Sequence, residues 1–247
     1  MNVNLKFFLK DTIRKMVDFS QTAQNRGLPP PPLQKPYPAG AELIPLARPG
    51  EWQGVSDLSV AEAIARRKSH RSFRQQLFTQ DELAFLLWAT QGLRQNTGAS
   101  GGLRTVPSAG CRHAFETYLA VYRVRGLEPA LYRYLPVEHA LIEIDRQEHL
   151  EEEVALAAFN QGFVARGAAT FFWTAVPERM EWRYAEASYK VMALDAGHVC
   201  QNLYLACEAV GAGTCAIAAY DQEACDRLLN LDGENEFTMY LAPVGKV

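Results

Sequence analysis

The chain has 247 residues, 48% of them hydrophobic and 21% charged, with 28 acidic residues against 25 lysines and arginines for a formal net charge of −3. That is enough apolar material for one large core. The near-balance of charge excludes nucleic acid or an anionic membrane as a general electrostatic partner, so any anion site is local.

Residues 1–25 carry Phe8, Ile13, Met16, Val17 and Phe19 at roughly helical spacing, which predicts an amphipathic helix packed on the body of the protein. Residues 27–50 contain eight prolines, a composition that favours polyproline II geometry, and read as an arm lying along a surface, with a PxxP ligand as the lesser alternative. The division is therefore an arm at 1–50 and a domain at 51–247. Ser59 with Glu62, and Thr79 with Glu82, are capping boxes opening two helices, the second ending at Gly92. A Gly/Ser-rich loop from Asn96 to Gly102 follows. The segments FETYLAVYRV, ALYRYL and HALIEI are rich in aromatic and β-branched residues between Gly and Pro breaks, which predicts antiparallel strands. After them come a helix near Glu148–Ala158, a strand at ATFFWTAV and one long helix from about Glu178 to Val210. A short strand at TCAIAA, a helix at DQEACDRLLN and a last strand at EFTMYLAPV complete the pattern. Two helices, a meander, then helix, strand, helix and strand make an α+β fold with a mixed or antiparallel sheet.

The densest charge is RRKSHRSF, Arg66–Phe73, at the end of the first helix and in the connector after it. Helix C-termini present carbonyls, so an anion here must be held by side chains, and Arg67, Ser69 and Arg71 are the equipment for a phosphate. Three readings stay open: cations complementing the helix dipole, a phosphate site, or a nucleic-acid patch. Asp195 and His198, three residues apart on the long helix, are expected to satisfy each other or nearby backbone. The cysteines Cys111, Cys200, Cys207, Cys215 and Cys225 are odd in number and lack a CxxC spacing, which reads as buried thiols of a reducing compartment. Neither HExxH nor paired Cys/His spacing occurs, so no protein-bound metal is expected. Without a run of about 18 apolar residues, the chain is expected to be cytoplasmic.

Taken in order, RRKSHRSF, LLWATQGLR, RTVPSAG, LYRY, DAGHVCQNLYLA, GAGTCAIAAYD and PVGK resemble the nitroreductase superfamily of flavoproteins, and within it the SagB-type dehydrogenase branch. The resemblance runs from about Ser56 to Lys246. It implies an FMN whose phosphate is gripped by Arg67, Ser69 and Arg71, with Lys68 assisting and Gly245 and Lys246 near the phosphate. Pro107, Ser108, Ala109 and Gly110 would lie against the isoalloxazine, from the other subunit of a homodimer, and Ala216 and Ile217 beside its edge. The implied activity is two-electron transfer from NAD(P)H to a small electron-poor acceptor, a nitroaromatic or quinone. Alternatives are oxidation of azoline-containing peptides and a flavin-binding module without turnover. Azoline-oxidising members of the branch carry a Lys-Tyr pair where this chain has Arg183 and Tyr184; the arginine cannot serve as a base, and Tyr184 remains a candidate proton donor.

Overall fold

A computed structural model describes residues 5–96 and 102–247; most of the expected Gly/Ser-rich loop lies outside the described residues. The capping boxes act as the spacing predicts. Ser59 Oγ accepts from the Glu62 N–H, opening α1 (Val60–Arg66), and Thr79 Oγ1 accepts from the Glu82 N–H, opening α2 (Gln80–Gln91). Gly92 ends α2 because a Cβ there would sit 2.3 Å from the Trp88 ring.

The central sheet has seven strands in the order β1-β6-β5-β4-β7-β9-β8, every neighbouring pair antiparallel. They are β1 (Ile44–Pro45), β4 (Phe115–Val121), β5 (Ala130–Leu135), β6 (Ala140–Asp145), β7 (Ala169–Ala175), β8 (Ala212–Thr214) and β9 (Phe237–Lys246), while β2 (Leu93–Asn96) and β3 (Gly102–Arg104) form a separate hairpin. β4, β5 and β7 are buried along their whole length, so both faces are covered and the strands read as continuous apolar runs. Phe171 and Trp173 face one core together with Leu83, Leu87 and Leu203 from the helices; Phe172 faces a second with Val154 and Leu228. α3 (Leu150–Ala157) and α6 (Gln222–Leu228) cover that second side, and α5 (Ser188–Ala209) crosses the first.

Four expectations are corrected. Residues 5–25 form short 3₁₀ turns at Leu5–Phe7, Asp11–Lys15 and Phe19–Gln21 instead of one amphipathic helix, and Phe8 and Met16 stay exposed. The Asp18 carboxylate takes the Ser20 N–H and hydroxyl, a local bond that competes with helix continuation. The long helix is interrupted after α4 (Glu178–Tyr184), where Ala185 has φ 45° and ψ −136°, and resumes as α5; Tyr189 of α5 donates across the break to Glu181 at 2.9 Å. The strand expected at Thr214–Ala219 is instead the three residues Ala212–Thr214, and within the rest of the expected segment Ile217 makes an isolated bridge to Leu241. Cys111 is exposed, while the other four cysteines are buried and all five are free.

The proline-rich arm runs along the body as part of the fold. Ile44–Pro45 pairs with β6, and Leu33 and Leu46 are buried. Buried Arg104 donates to Leu33 O at 2.8 Å, Arg133 donates to Lys35 O and Pro36 O, and the Lys35 N–H donates to Glu116 at 2.8 Å. Glu116 also pairs with buried Arg179, so burial of these charges is offset by partners that the arm itself supplies.

Candidate functional site

Arg66 ends α1 and pairs with Glu62 at 3.3 Å. From Arg67 the chain turns extended and runs along the open edge of β8: the His70 N–H donates to Thr214 O at 2.9 Å and the Arg74 N–H to Lys246 O at 2.9 Å. Two glycines permit this approach. A Cβ on Gly213 would lie 2.6 Å from the His70 ring, and one on Gly245 would lie 2.9 Å from Phe73. Burial, with Lys68 adding like charge, holds the His70 imidazole below its usual range. Arg67, Lys68 and Arg71 make no ion pair with a carboxylate among the described residues, and the Arg71 guanidinium lies 5.9 Å from the Phe163 ring centroid. Two guanidiniums, an ammonium and the Ser69 hydroxyl are donor types that suit the phosphate of a flavin mononucleotide.

The link between this segment and the neighbouring strand is Tyr204, which the sequence reading did not single out. Its hydroxyl accepts from the Ala216 N–H at 2.9 Å and lies 2.9 Å from Ser69 Oγ, and its ring sits 5.5 Å beneath the Arg67 guanidinium. The strand break after Thr214 is what turns the Ala216 N–H out of the ladder and toward Tyr204. Ile217, bonded to Leu241 on both sides, anchors the far end of the break and is buried. Lys246 does not join the cluster as a free cation. Its ammonium is buried between Glu82 Oε1 and Val210 O, both at 2.6 Å, so the terminal Gly-Lys contributes backbone and space rather than charge.

Pro107–Gly110 build a second group. The Ala109 N–H donates to the Asp195 carboxylate at 3.1 Å, and the His113 N–H donates to Ser108 Oγ at 2.9 Å. Burial pushes the Asp195 carboxyl above its usual range, partly offset by Ser108, Ala109 and His198, whose Nδ1 is 3.9 Å away. Asp195 thus bonds neighbouring backbone, one of the two arrangements expected, and the backbone that it holds belongs to the candidate site. Gly110 has φ 59°, and a Cβ there would meet the Tyr184 hydroxyl at 2.6 Å and Arg183 Cδ at 2.7 Å, so Arg183 and Tyr184 pack directly on the Ser108–Gly110 turn. Gly110, Cys111, His113 and Ala185 all have positive φ, and three of these are not glycine. Such backbone strain persists only where the surroundings hold it, and it collects at functional sites.

Both groups hang from α5, through Tyr204 and Asp195. Nine residues separate these anchors, about 13 Å along the axis and half a turn around it, so they leave α5 on opposite faces. One subunit therefore carries two separate groups: Arg67, Ser69, Arg71, Ala216 and Ile217 on the Tyr204 side, and Pro107–Gly110, Arg183 and Tyr184 on the Asp195 side.

An α+β domain with this sheet order and a basic segment laid along its edge strand has close counterparts. Residues 64–246 match the Nitroreductase family model. A Methanocaldococcus jannaschii protein named as a nitroreductase is 30% identical over 192 residues, covering 78% of this chain and 93% of that protein. The trifolitoxin-processing protein TfxB of Rhizobium leguminosarum bv. trifolii is 30% identical over 133 residues, 52% of this chain and 36% of its own. Among solved structures, a Ralstonia eutropha protein described as a nitroreductase superposes with TM-score 0.66 at 25% identity, covering 89% of this chain and 99% of the other. A chain of the E. coli microcin synthetase McbBCD complex with truncated pro-MccB17 bound gives 0.62 at 16% identity, covering 100% and 97%. The chain belongs to the nitroreductase family and has the nitroreductase-like fold of an oxidoreductase. Among the described residues no helix is long and apolar enough to cross a membrane, and no cluster of three or more metal-binding side chains occurs.

Proposed function

We propose that the protein is an FMN-dependent oxidoreductase acting as a homodimer in the cytoplasm. FMN bound here would supply two-electron transfer in a ping-pong cycle, from NAD(P)H to a small electron-poor acceptor of nitroaromatic or quinone type. Arg67, Ser69 and Arg71 hold its phosphate through charge-assisted hydrogen bonds, with Lys68 adding positive charge. Ala216 and Ile217 line one edge, and Pro107, Ser108, Ala109 and Gly110 cover the ring from the partner copy. Tyr184 holds a proton for the acceptor, whereas Arg183 stays cationic and cannot accept one.

The observation that supports this reading is that the two groups leave opposite faces of α5, so that a second copy would be needed to bring both to one flavin. Exposed Val60 and Ile64 on α1, with Val60 bordering a cleft of about 640 Å³ beside α5, supply apolar surface for such an association. The test is threefold. Heat-released cofactor should chromatograph as FMN, anaerobic NADH or NADPH should bleach the bound flavin, and a quinone should sustain turnover. Binding of FMN without nicotinamide consumption would leave a flavin-binding module, and rejection of FMN would overturn the proposal. Sedimentation should show a dimer tightened by excess FMN.

A second reading, oxidation of azoline-containing peptides, follows the SagB-type resemblance, and a role in peptide maturation draws support from the 30% identity over 133 residues to a protein named for trifolitoxin processing. Arg183 in place of a lysine base argues against it. A two-dalton loss from azoline peptides in air, with neither nicotinamide oxidised, would establish it instead.

A further inference from the structure

Around the Ser108–Gly110 turn lie two guanidinium groups, those of Arg112 and Arg183, that pair with no carboxylate among the described residues. The Arg112 Nε–H donates to Arg179 O at 3.0 Å, and its guanidinium lies 4.6 Å from the Trp182 ring centroid. Arg183 lies one residue further along α4, its Cδ and Nε against Gly110 and its guanidinium 5.6 Å from the Tyr184 ring. The carboxylates nearby that the structure pairs are already committed. Asp11 pairs with Arg14, whose guanidinium also lies over Tyr184 at 5.8 Å; Glu116 pairs with Arg179; Glu181 accepts from Tyr189; Asp195 accepts from Ala109. Burial, followed by the like charges of Arg183 and Arg179, holds Arg112 below its ordinary range, with no carboxylate among the groups acting on it. The half-buried Arg112 guanidinium, fixed by one backbone carbonyl and one aromatic ring, and the exposed Arg183 beside it keep N–H donors that no carboxylate among the described residues takes.

We propose that Arg112 and Arg183 recognise a carboxylate on the substrate, making this enzyme selective for anionic acceptors. The inference rests on the oxidoreductase reading above and names the class of acceptor that this site takes. A planar carboxylate suits two guanidinium forks, which offer parallel N–H donors in its own plane. Tyr184, packed on the same glycine as Arg183, then stands beside the bound acid with its hydroxyl toward the Gly110 turn. The two arginines act by positioning and selecting, and their charges never change during turnover.

The experiment compares 4-nitrobenzoate with its neutral isostere 4-nitrobenzamide on the protein as purified, by calorimetric affinity and, separately, by the KM of each. The wild type should bind the carboxylate about ten- to a hundredfold tighter than the amide, a preference that narrows as salt is added. Arg183→Gln and Arg112→Gln should each cut that preference about tenfold, and Arg183→Lys should keep part of it. Thermal unfolding of each variant separates loss of the site from loss of the fold, and the affinity ratio within one variant is independent of its yield. Equal affinity of the wild type for both compounds, no measurable binding of either, or a preference that survives in the double glutamine variant would overturn the assignment. Calorimetry does not depend on turnover, so failure of the nicotinamide assay and failure of the carboxylate preference are read separately.

Discussion

Replacing Tyr204 with phenylalanine removes one oxygen from the point where the basic segment, the broken strand and α5 meet. The ring survives, so the Arg67 guanidinium keeps its aromatic neighbour at 5.5 Å. The Ala216 N–H loses its 2.9 Å acceptor, and Ser69 loses a 2.9 Å partner. Ser69 is exposed and water replaces that bond at little cost, whereas Ala216 is half-buried, so the stability loss comes mainly from its N–H. A neutral hydrogen bond contributes about 0.5–1.5 kcal/mol and an unsatisfied buried donor costs about 1–3 kcal/mol; for a half-buried group the expected loss is about 1–2 kcal/mol. Urea unfolding of the apo protein measures it. FMN titration should show about tenfold weaker binding, because Ser69 and the Ala216 backbone are no longer tied to one atom. Tyr204→Ala should cost more in both assays, since the ring goes as well. Unchanged stability together with unchanged FMN affinity in Tyr204→Phe would refute the idea that this hydroxyl joins the two segments.

Arg71→Ala should weaken FMN by about 1.5–3 kcal/mol while riboflavin, which lacks the phosphate, hardly responds; equal losses for both would mean that Arg71 acts through folding. Burial, and then Arg104, Arg112 and Arg179, press the buried His113 imidazole down to about 3. The unfolded chain therefore binds a proton below about pH 6.5 that the folded one refuses, and this part of the stability is intact above 6.5 and lost progressively toward pH 3. His113→Asn, which tolerates the φ of 50° found there, should flatten the pH dependence of unfolding by about one proton over that window; an unchanged slope would contradict it. Deleting residues 1–50 strips Arg104, Arg133 and Glu116 of partners and should abolish soluble folding, whereas deleting 1–28 should leave a folded protein with a lower Tm. An unchanged melting temperature after the longer deletion would show the arm to be dispensable.

Local chemistry was legible where it acts over a few residues. Both capping boxes, the stop at Gly92, the β4–β5–β6 meander and the charge of Arg67–Arg71 follow from neighbours in sequence, because a side chain three residues on can reach the orphan N–H of a helix start. The interruption at Ala185 was not legible. Ala-Glu-Ala-Ser contains no glycine or proline, and the residues just before the break, Arg183 and Tyr184, pack on the Ser108–Gly110 turn some 70 residues earlier in the chain. Lys246 looked like a spare cation until the fold brought it to Glu82, a residue already used in a cap.

Tyr204 passed as an ordinary position on an apolar helix, since helical periodicity records which residues face the core and not which backbone groups lack a partner. The sequence by itself determined the element order, the α+β class and the residue types able to hold a phosphate. Only the tertiary structure decided that the basic segment and the Pro107–Gly110 turn meet opposite faces of α5, because that division depends on which strand edge and which turn each face meets, and those contacts join segments far apart in the chain.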